Sequence, residues 1–357
     1  ISEDVPQYKM DYRFQMELNG QSEVGDEDPG SCLMDAWVAY NPTKRIKIKF
    51  GQSVSPTDNR ELSMGSQTLQ LVERSRVTSA FSTIREFGIV ASGNFRTGRG
   101  TYLRPYLTVT NGDGINAFTA DRGGLKVGGR LDFLPFGLFT NYGQYRQADV
   151  VRELTPKLVI GANYSMNNGM SSRRGRGSGD ITYLNNDLEE TLPDFTKFGV
   201  DFLFKFRGFS VLGEFVKTWA AVPSALTTRV RIDGSTSTNL EFDGQQDPEN
   251  YVKNRMMLGE GYNIQAGYLF KNRLSIDARY THLEADRASF LNNNLFYNRP
   301  NYYTIGVSKY MSRNYGFKVQ ASLMYNDLGD GATDISSDRT TVTGNELTAR
   351  VITSFAF

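Results

Sequence analysis

The chain has 357 residues, with 40 Lys and Arg against 39 Asp and Glu, so its net charge of +1 gives no hint of an acidic or basic partner. Mean hydropathy is −0.43, and no run of about 20 apolar residues exists, which excludes a membrane-spanning helix. A single cysteine, Cys32, excludes an intramolecular disulfide.

The opening Ile1-Ser2-Glu3-Asp4 reads as a processed or truncated end rather than a translation start. From there the chain is a series of segments in which polar and apolar residues alternate. Strands are expected near 10–19, 32–40, 44–51, 83–92, 102–110, 125–134, 156–166, 196–206, 209–217, 261–270, 273–282, 302–310, 315–325 and 345–357. Most have the length, about 9–11 residues, of a tilted strand crossing a bilayer. Phe198, Val200, Phe202, Phe204 and Phe206 are typical: between them sit Lys197, Gly199, Asp201, Leu203 and Lys205.

The connections alternate between short and long. Asn41-Pro42-Thr43, Arg207-Gly208, Lys271-Asn272 and Ser312-Arg313-Asn314 are short. The segments 20–31, 52–82, 111–124, 167–195, 218–260, 283–301 and 326–344 are long. Short turns at one rim and long loops at the other are the barrel rule. The expected fold is therefore all-β: a single transmembrane antiparallel up-and-down β-barrel over 1–357, with 14 strands visible and 16 if a hairpin lies upstream. The last strand, with Leu347, Ala349, Val351, Thr353, Phe355 and Phe357 on one face, fits an outer-membrane barrel. The segment 135–155 is too long for a short turn and is read as an ordered periplasmic piece, with an extra hairpin there as the alternative. A short loop helix is expected at 66–74.

If the apolar set of each strand faces lipid, the polar set lines a lumen. The inward cations are then Arg13, Arg45, Lys47, Lys49, Arg104, Lys126, Arg130, Lys157, Lys197, Lys205, Arg279, Lys318 and Arg350. The inward acids are Glu17, Asp35, Glu86, Asp132, Asp201, Glu214, Asp277 and Glu346, so cations outnumber acids. The row Arg45-Ile46-Lys47-Ile48-Lys49-Phe50 shows the alternation most plainly. Such rows either pair with acids on neighbouring strands or form an electropositive path for anions.

Enzyme chemistry finds little support. The one histidine, His282, leaves no multi-His metal site and few routes to a His-dependent triad. Glu189-Glu190 are sequence neighbours in a loop, and Asn326-Asp327-Leu328-Gly329-Asp330-Gly331 lacks the bidentate Glu of a calcium loop. The basic stretch Arg173-Arg174-Gly175-Arg176-Gly177 reads as a solvated loop tip rather than a nucleic-acid patch.

Several stretches occur together in one order: Phe50-Gly51-Gln52, Leu71-Val72-Glu73-Arg74-Ser75, Ile84-Arg85-Glu86-Phe87-Gly88-Ile89, Val109-Thr110-Asn111-Gly112-Asp113-Gly114, Gly129-Arg130-Leu131-Asp132-Phe133-Leu134-Pro135-Phe136-Gly137 and Gly267-Tyr268-Leu269-Phe270. Over 44–357 this order resembles the phosphate-selective porin O and P family in its Bacteroidetes form. The resemblance implies a homotrimeric Gram-negative outer-membrane porin and a long loop folded into the pore, here 52–82. It also implies basic pore residues, for which Arg45, Lys47, Lys49, Arg74, Arg76, Arg104 and Arg130 qualify by position and face; Lys126 and Arg350 join them from the inward set. The expectation is a passive channel with an anion-biased lumen for phosphate or organic anions, without cofactor, metal or nucleic acid. The alternative is a barrel that docks or assembles a surface complex, with 218–260 as a partner-holding loop.

Overall fold

The computed structural model describes residues 2–5, 9–16, 33–83, 85–117, 122–172, 181–231, 233–292, 299–312, 315–327 and 345–356. Cys32, the tip at 173–177, most of 326–344 and Phe357 lie outside them. In chain order the strands are β1 Ser2–Val5, β2 Met10–Met16, β3 Leu33–Thr43, β4 Ile46–Ser53, β5 Glu86–Gly93, β6 Phe95–Gly98, β7 Thr101–Thr110, β8 Lys126–Leu134, β9 Lys157–Asn167, β10 Tyr183–Leu184, β11 Asp194–Phe206, β12 Phe209–Ala221, β13 Thr228–Val230, β14 Thr236–Ser237, β15 Glu241–Phe242, β16 Gln245–Gln246, β17 Gly259–Leu269, β18 Leu274–Ala285, β19 Asn301–Tyr310, β20 Phe317–Asp327 and β21 Glu346–Phe355. Two short helices, α1 Arg76–Phe81 and α2 Pro248–Lys253, interrupt them.

One antiparallel sheet of 16 strands runs β1-β2-β3-β4-β5-β7-β8-β9-β11-β12-β17-β18-β19-β20-β21, with β6 paired to β7. All 14 expected strands are present. The short β1 is additional, and β6 continues β5 beyond an interruption at Asn94. Every neighbour on this path is antiparallel, as in β11 with β12, where Asp201 faces Glu214 and Phe206 faces Phe209.

The sheet is inside out compared with a water-soluble protein. Ile305, Val307 and Ile276 are exposed on the outer face, and Val351 is 75% exposed. Their alternates Thr304, Ser308, Asp277 and Gln320 are buried on the inner face. That polarity suits a barrel with lipid outside. Aromatic rings collect at both ends of the outer wall. Tyr262, Tyr280, Tyr303 and Tyr325 form a ribbon across four strands, with centroids 5.9, 5.0 and 6.1 Å apart in turn. Phe204 with Phe209, and Tyr268 with Phe270, sit near the short-turn rim. Amphipathic rings settle at headgroup depth, so two belts are what a bilayer selects.

The connection between β4 and β5 crosses the interior. Its helix α1 starts where the Ser75 hydroxyl accepts from Thr78 N, and buries Val77, Ala80 and Phe81 against Val216, Leu283, Tyr302 and Met324. Met64 and Leu69 of the same connection pack on Leu134, Val159, Leu203 and Leu212. The helix falls later than the expected 66–74, which forms only a 3-10 turn at Ser66–Thr68. The capping serine and the i, i+3, i+4 apolar face come after Arg74, not before.

The long loops at the other rim hold a small core. Met170, Tyr183, Leu192, Phe195, Leu226, Leu240, Tyr251, Val252, Met256 and Leu258 pack together there. The strands β10, β13 and β14 pair beside it, and α2 is capped by Asp247. The polar composition of 218–260 hid this core, because its apolar anchors are widely spaced.

Candidate functional site: the lumen

The interior is organised by the 54–85 connection. Arg60 donates from Nη2 to Asp132 Oδ1 and from Nε to Asp201 Oδ1, both at 2.7 Å. Arg130 reaches the same two carboxylates, at 2.8 Å to Asp132 Oδ1 and 2.6 Å to Asp201 Oδ2. Two arginines and two aspartates thus form a buried cluster between the connection and strands β8 and β11. Beside it Lys197 pairs with Asp58, and Lys126 donates to Glu86 at 2.6 Å.

A second set of contacts fixes the middle of the connection. Glu61 accepts from Ser75 N at 2.7 Å, Thr78 Oγ1 at 2.6 Å and Gln147 Nε2 at 2.8 Å, with Arg279 Nη1 3.5 Å away. Glu214 on β12 accepts from Glu61 N at 2.7 Å. Lower down, Gln70 Nε2 donates to Ser210 at 2.7 Å, and the Gln70 carbonyl accepts from Ser308 at 2.9 Å and Gln320 at 2.8 Å. Lys318 donates to the Leu69 carbonyl. The connection therefore touches β8, β11, β12, β17, β18, β19 and β20 from inside. One segment can do this only if the sheet curls around it.

Two buried carboxyls of the connection, Asp58 and Glu61, respond to this setting. Burial pushes Asp58 up, but Lys197 and Lys126 outweigh it and hold it below the usual carboxylate range. Burial likewise pushes Glu61 up, and Arg279 and Arg74 hold it below that range.

On the side of β2, β3, β4, β5 and β7 the interior stays open. A cavity of about 760 Å³ is lined by Arg13, Asp35, Glu73, Arg74, Arg76, Thr78, Arg85, Tyr142, Tyr145 and Arg146, among others. A smaller chamber of about 270 Å³ shares Arg13, Asp35, Val54, Ser63 and Tyr145 with it, and adds Trp37, Lys47, Lys49, Val90, Tyr106 and Arg130.

The nine basic residues singled out in the sequence fall into different roles. Arg45 sits in the exposed β3–β4 turn, not on the wall. Lys126 and Arg130 are consumed by buried carboxylates. Arg350 pairs with Glu73, and Lys47 with Asp11. Arg74 turns back on its own connection and donates to the Met64 carbonyl at 2.6 Å. Other cations of the inward set also hold backbone: Lys205 donates to the carbonyls of Gly143 and Ala148, both at 2.9 Å.

The remaining cations rest on rings. Lys49 Nζ lies 5.5 Å from the Trp37 centroid, Arg76 Cζ 5.5 Å from Tyr302, and Arg104 Cζ 5.4 Å from Tyr145. Arg146, which the sequence reading did not single out, lies 5.2 Å from Tyr315. None of these four makes an ion pair among the described residues. A ring face orients a cation without cancelling its charge. Trp37, Tyr106 and Tyr145 were missed as well; for Trp37 the signal was an aromatic residue on the same face as Asp35.

His282 Nδ1 lies 2.9 Å from Asn301 Oδ1, which can only accept, beside Tyr262 on the outer wall. No group of acidic, histidine and cysteine side chains able to hold a metal occurs among the described residues.

Neither a protein-family model nor a curated protein matches the chain. Among solved structures, it is similar to two mutants of the Rh. blastica porin, at 13% and 12% identity; each match spans 91% of this chain and 82% of that one, with a TM-score of 0.38. It is also similar to the P. putida toluene transporter TodX, at 10% identity over 82% of this chain and 75% of that one, with a TM-score of 0.32.

Proposed function

We propose that this chain is a porin of a Gram-negative outer membrane: a passive channel, not an enzyme, through which small anions pass beside the 54–85 connection. The observation that carries this reading is the set of cations held on rings without a carboxylate. Lys49, Arg76 and Arg146 line the two cavities and face rings rather than carboxylates. Low-dielectric walls strengthen the field of such charges, and arginine or lysine rows lower the barrier to anions. In this reading the 54–85 connection is the infolded pore loop, and 135–155 a periplasmic piece that partly covers the short-turn mouth. Phosphate as a solute, a homotrimer and kinship with the Bacteroidetes phosphate-selective porin O and P family belong to the same proposal, and rest on the sequence resemblance.

The test is the reversal potential of the purified protein in a planar bilayer under a KCl gradient. An anion-selective potential is expected. A cation-selective one would overturn the reading.

A second reading draws on how much of the lumen is filled. The connection seals one side of the barrel, and the long loops carry a packed core of their own. A barrel built to display that core to a surface partner would conduct poorly. Absence of any current in the same bilayer experiment would favour it.

A further inference from the structure

We propose that the 270 Å³ chamber is a binding site for a small aromatic carboxylate. This inference rests on the anion-path reading and names the solute class for one station along it.

The chamber joins one available cation to an apolar slot. Trp37 on β3 stands opposite Gly51 on β4, and Ala39 opposite Lys49. Gly51 has φ +123°, and a Cβ there would come within 2.3 Å of the Ala36 carbonyl and 3.1 Å of Trp37 Cβ. A side chain there would crowd the base of Trp37, whose ring lies 5.0 and 5.5 Å from Lys47 Nζ and Lys49 Nζ. Lys47 is shared with Asp11, and Arg13 with Asp35. Arg60 and Arg130 are tied to Asp132 and Asp201. Lys49 alone among these has a ring and no carboxylate.

Apolar groups complete the slot: Val54, Pro56, Val90 and Tyr106 line it, with Val90 directly across from Lys49 on the neighbouring strand β5. The Tyr106 and Tyr145 hydroxyls are bonded to each other at 2.7 Å, which leaves their ring bodies as walls. At about 270 Å³ the chamber lies just below the range of ordinary ligand pockets, about 300–1,000 Å³. A one-ring solute fits that space and a large one does not.

These features select between anions. A phosphate dianion needs several donors around it and gains nothing from apolar walls. A benzoate-like monoanion places one carboxylate on the Lys49 ammonium and its ring between Trp37 and the Val90–Tyr106 side. Acetate has the charge but not the ring.

The chain has only two tryptophans. Trp219 lies on β12 and is 41% exposed on the outer wall, away from the chamber. A Trp219→Phe protein therefore reports on Trp37 alone. Its fluorescence in detergent is titrated with benzoate, acetate and inorganic phosphate. Benzoate is expected to give a saturable change at a concentration about tenfold below that of either other anion, the factor one aromatic contact supplies. Adding Lys49→Gln should remove the benzoate response while the barrel still migrates as folded in unheated gels. Equal responses to benzoate and acetate, or a benzoate response that survives Lys49→Gln, would overturn the proposal. The reversal potential is read separately: anion selectivity without a Trp37 response sinks the aromatic site alone, whereas cation selectivity sinks the channel reading beneath it.

Discussion

Arg60 Nε lies 2.7 Å from Asp201 Oδ1, joining residues 141 positions apart. Both side chains are 1% exposed. This bond fastens the inserted connection to the barrel wall, and Asp132 and Arg130 complete the fastening. Breaking a buried ion pair by removing one partner costs about 3–5 kcal/mol, because the other charge is left buried. Arg60→Ala should fall at the lower end, since Arg130 still serves both aspartates. The connection should loosen, with single-channel conductance rising or flickering and the folded form converting at a lower temperature. Wild-type conductance and wild-type heat stability together would show that the cluster does not hold the connection.

Acid should loosen the same connection. Burial works against the charged forms of Asp58 and Glu61, but Lys197 and Lys126 around the first, and Arg279 and Arg74 around the second, hold both carboxyls low. A carboxyl that is low in the folded state stabilises it above the unfolded value, about 3.9–4.3, and loses that contribution as pH falls through the folded value. The connection is therefore fixed at neutral pH and released in strong acid, below about pH 4. Conductance recorded from neutral pH down to about pH 3 should rise at the acid end. A flat profile would mean that the apolar contacts of Met64, Leu69 and Phe81 hold the connection unaided.

The strands were legible because alternation is local. Phe198, Val200 and Phe202 against Lys197, Gly199 and Asp201 need no distant partner to reveal a two-faced strand. The same alternation marked the inner face, and Lys197, Lys205 and Lys318 are indeed buried. Whether a lumen cation is free was not legible. Lys126 meets Glu86, 40 positions away, and Arg130 meets Asp201, 71 positions away. Those distances are closed by the barrel, not by spacing. The seat of the connection left a faint trace in apolar residues on the polar faces, such as Leu203 between Phe202 and Phe204. With Leu134, Val159 and Leu212 it receives Met64 and Leu69.

The outer wall makes its own prediction. Ile305 is 60% exposed near the middle of β19, between the aromatic belts. Ile305→Arg would place a charge against lipid, at a cost of about 2–4 kcal/mol near the midplane. Thr304→Arg would point inward instead. Refolding into bilayers should be weakened by the first change through lipid contact. Equal stability of the Ile305 variant and the wild type would argue that this face does not meet lipid.

Selectivity should separate the ring-held cations from the paired ones. Arg76 and Arg146 line the larger cavity and rest on Tyr302 and Tyr315. Replacing both by glutamine removes charge that no carboxylate cancels. Anion preference should fall, seen as a reversal potential shifted toward zero in a KCl gradient. Lys47→Glu with Lys49→Glu should shift it further, since each change reverses a charge at the smaller chamber. Lys126→Gln is the contrast. Its ammonium is already neutralised by Glu86 at 2.6 Å, so the change frees a carboxylate behind the wall and mainly costs stability. If Lys126→Gln moved the reversal potential as much as the Arg76 and Arg146 pair, the distinction between held and cancelled charge would not be what sets selectivity.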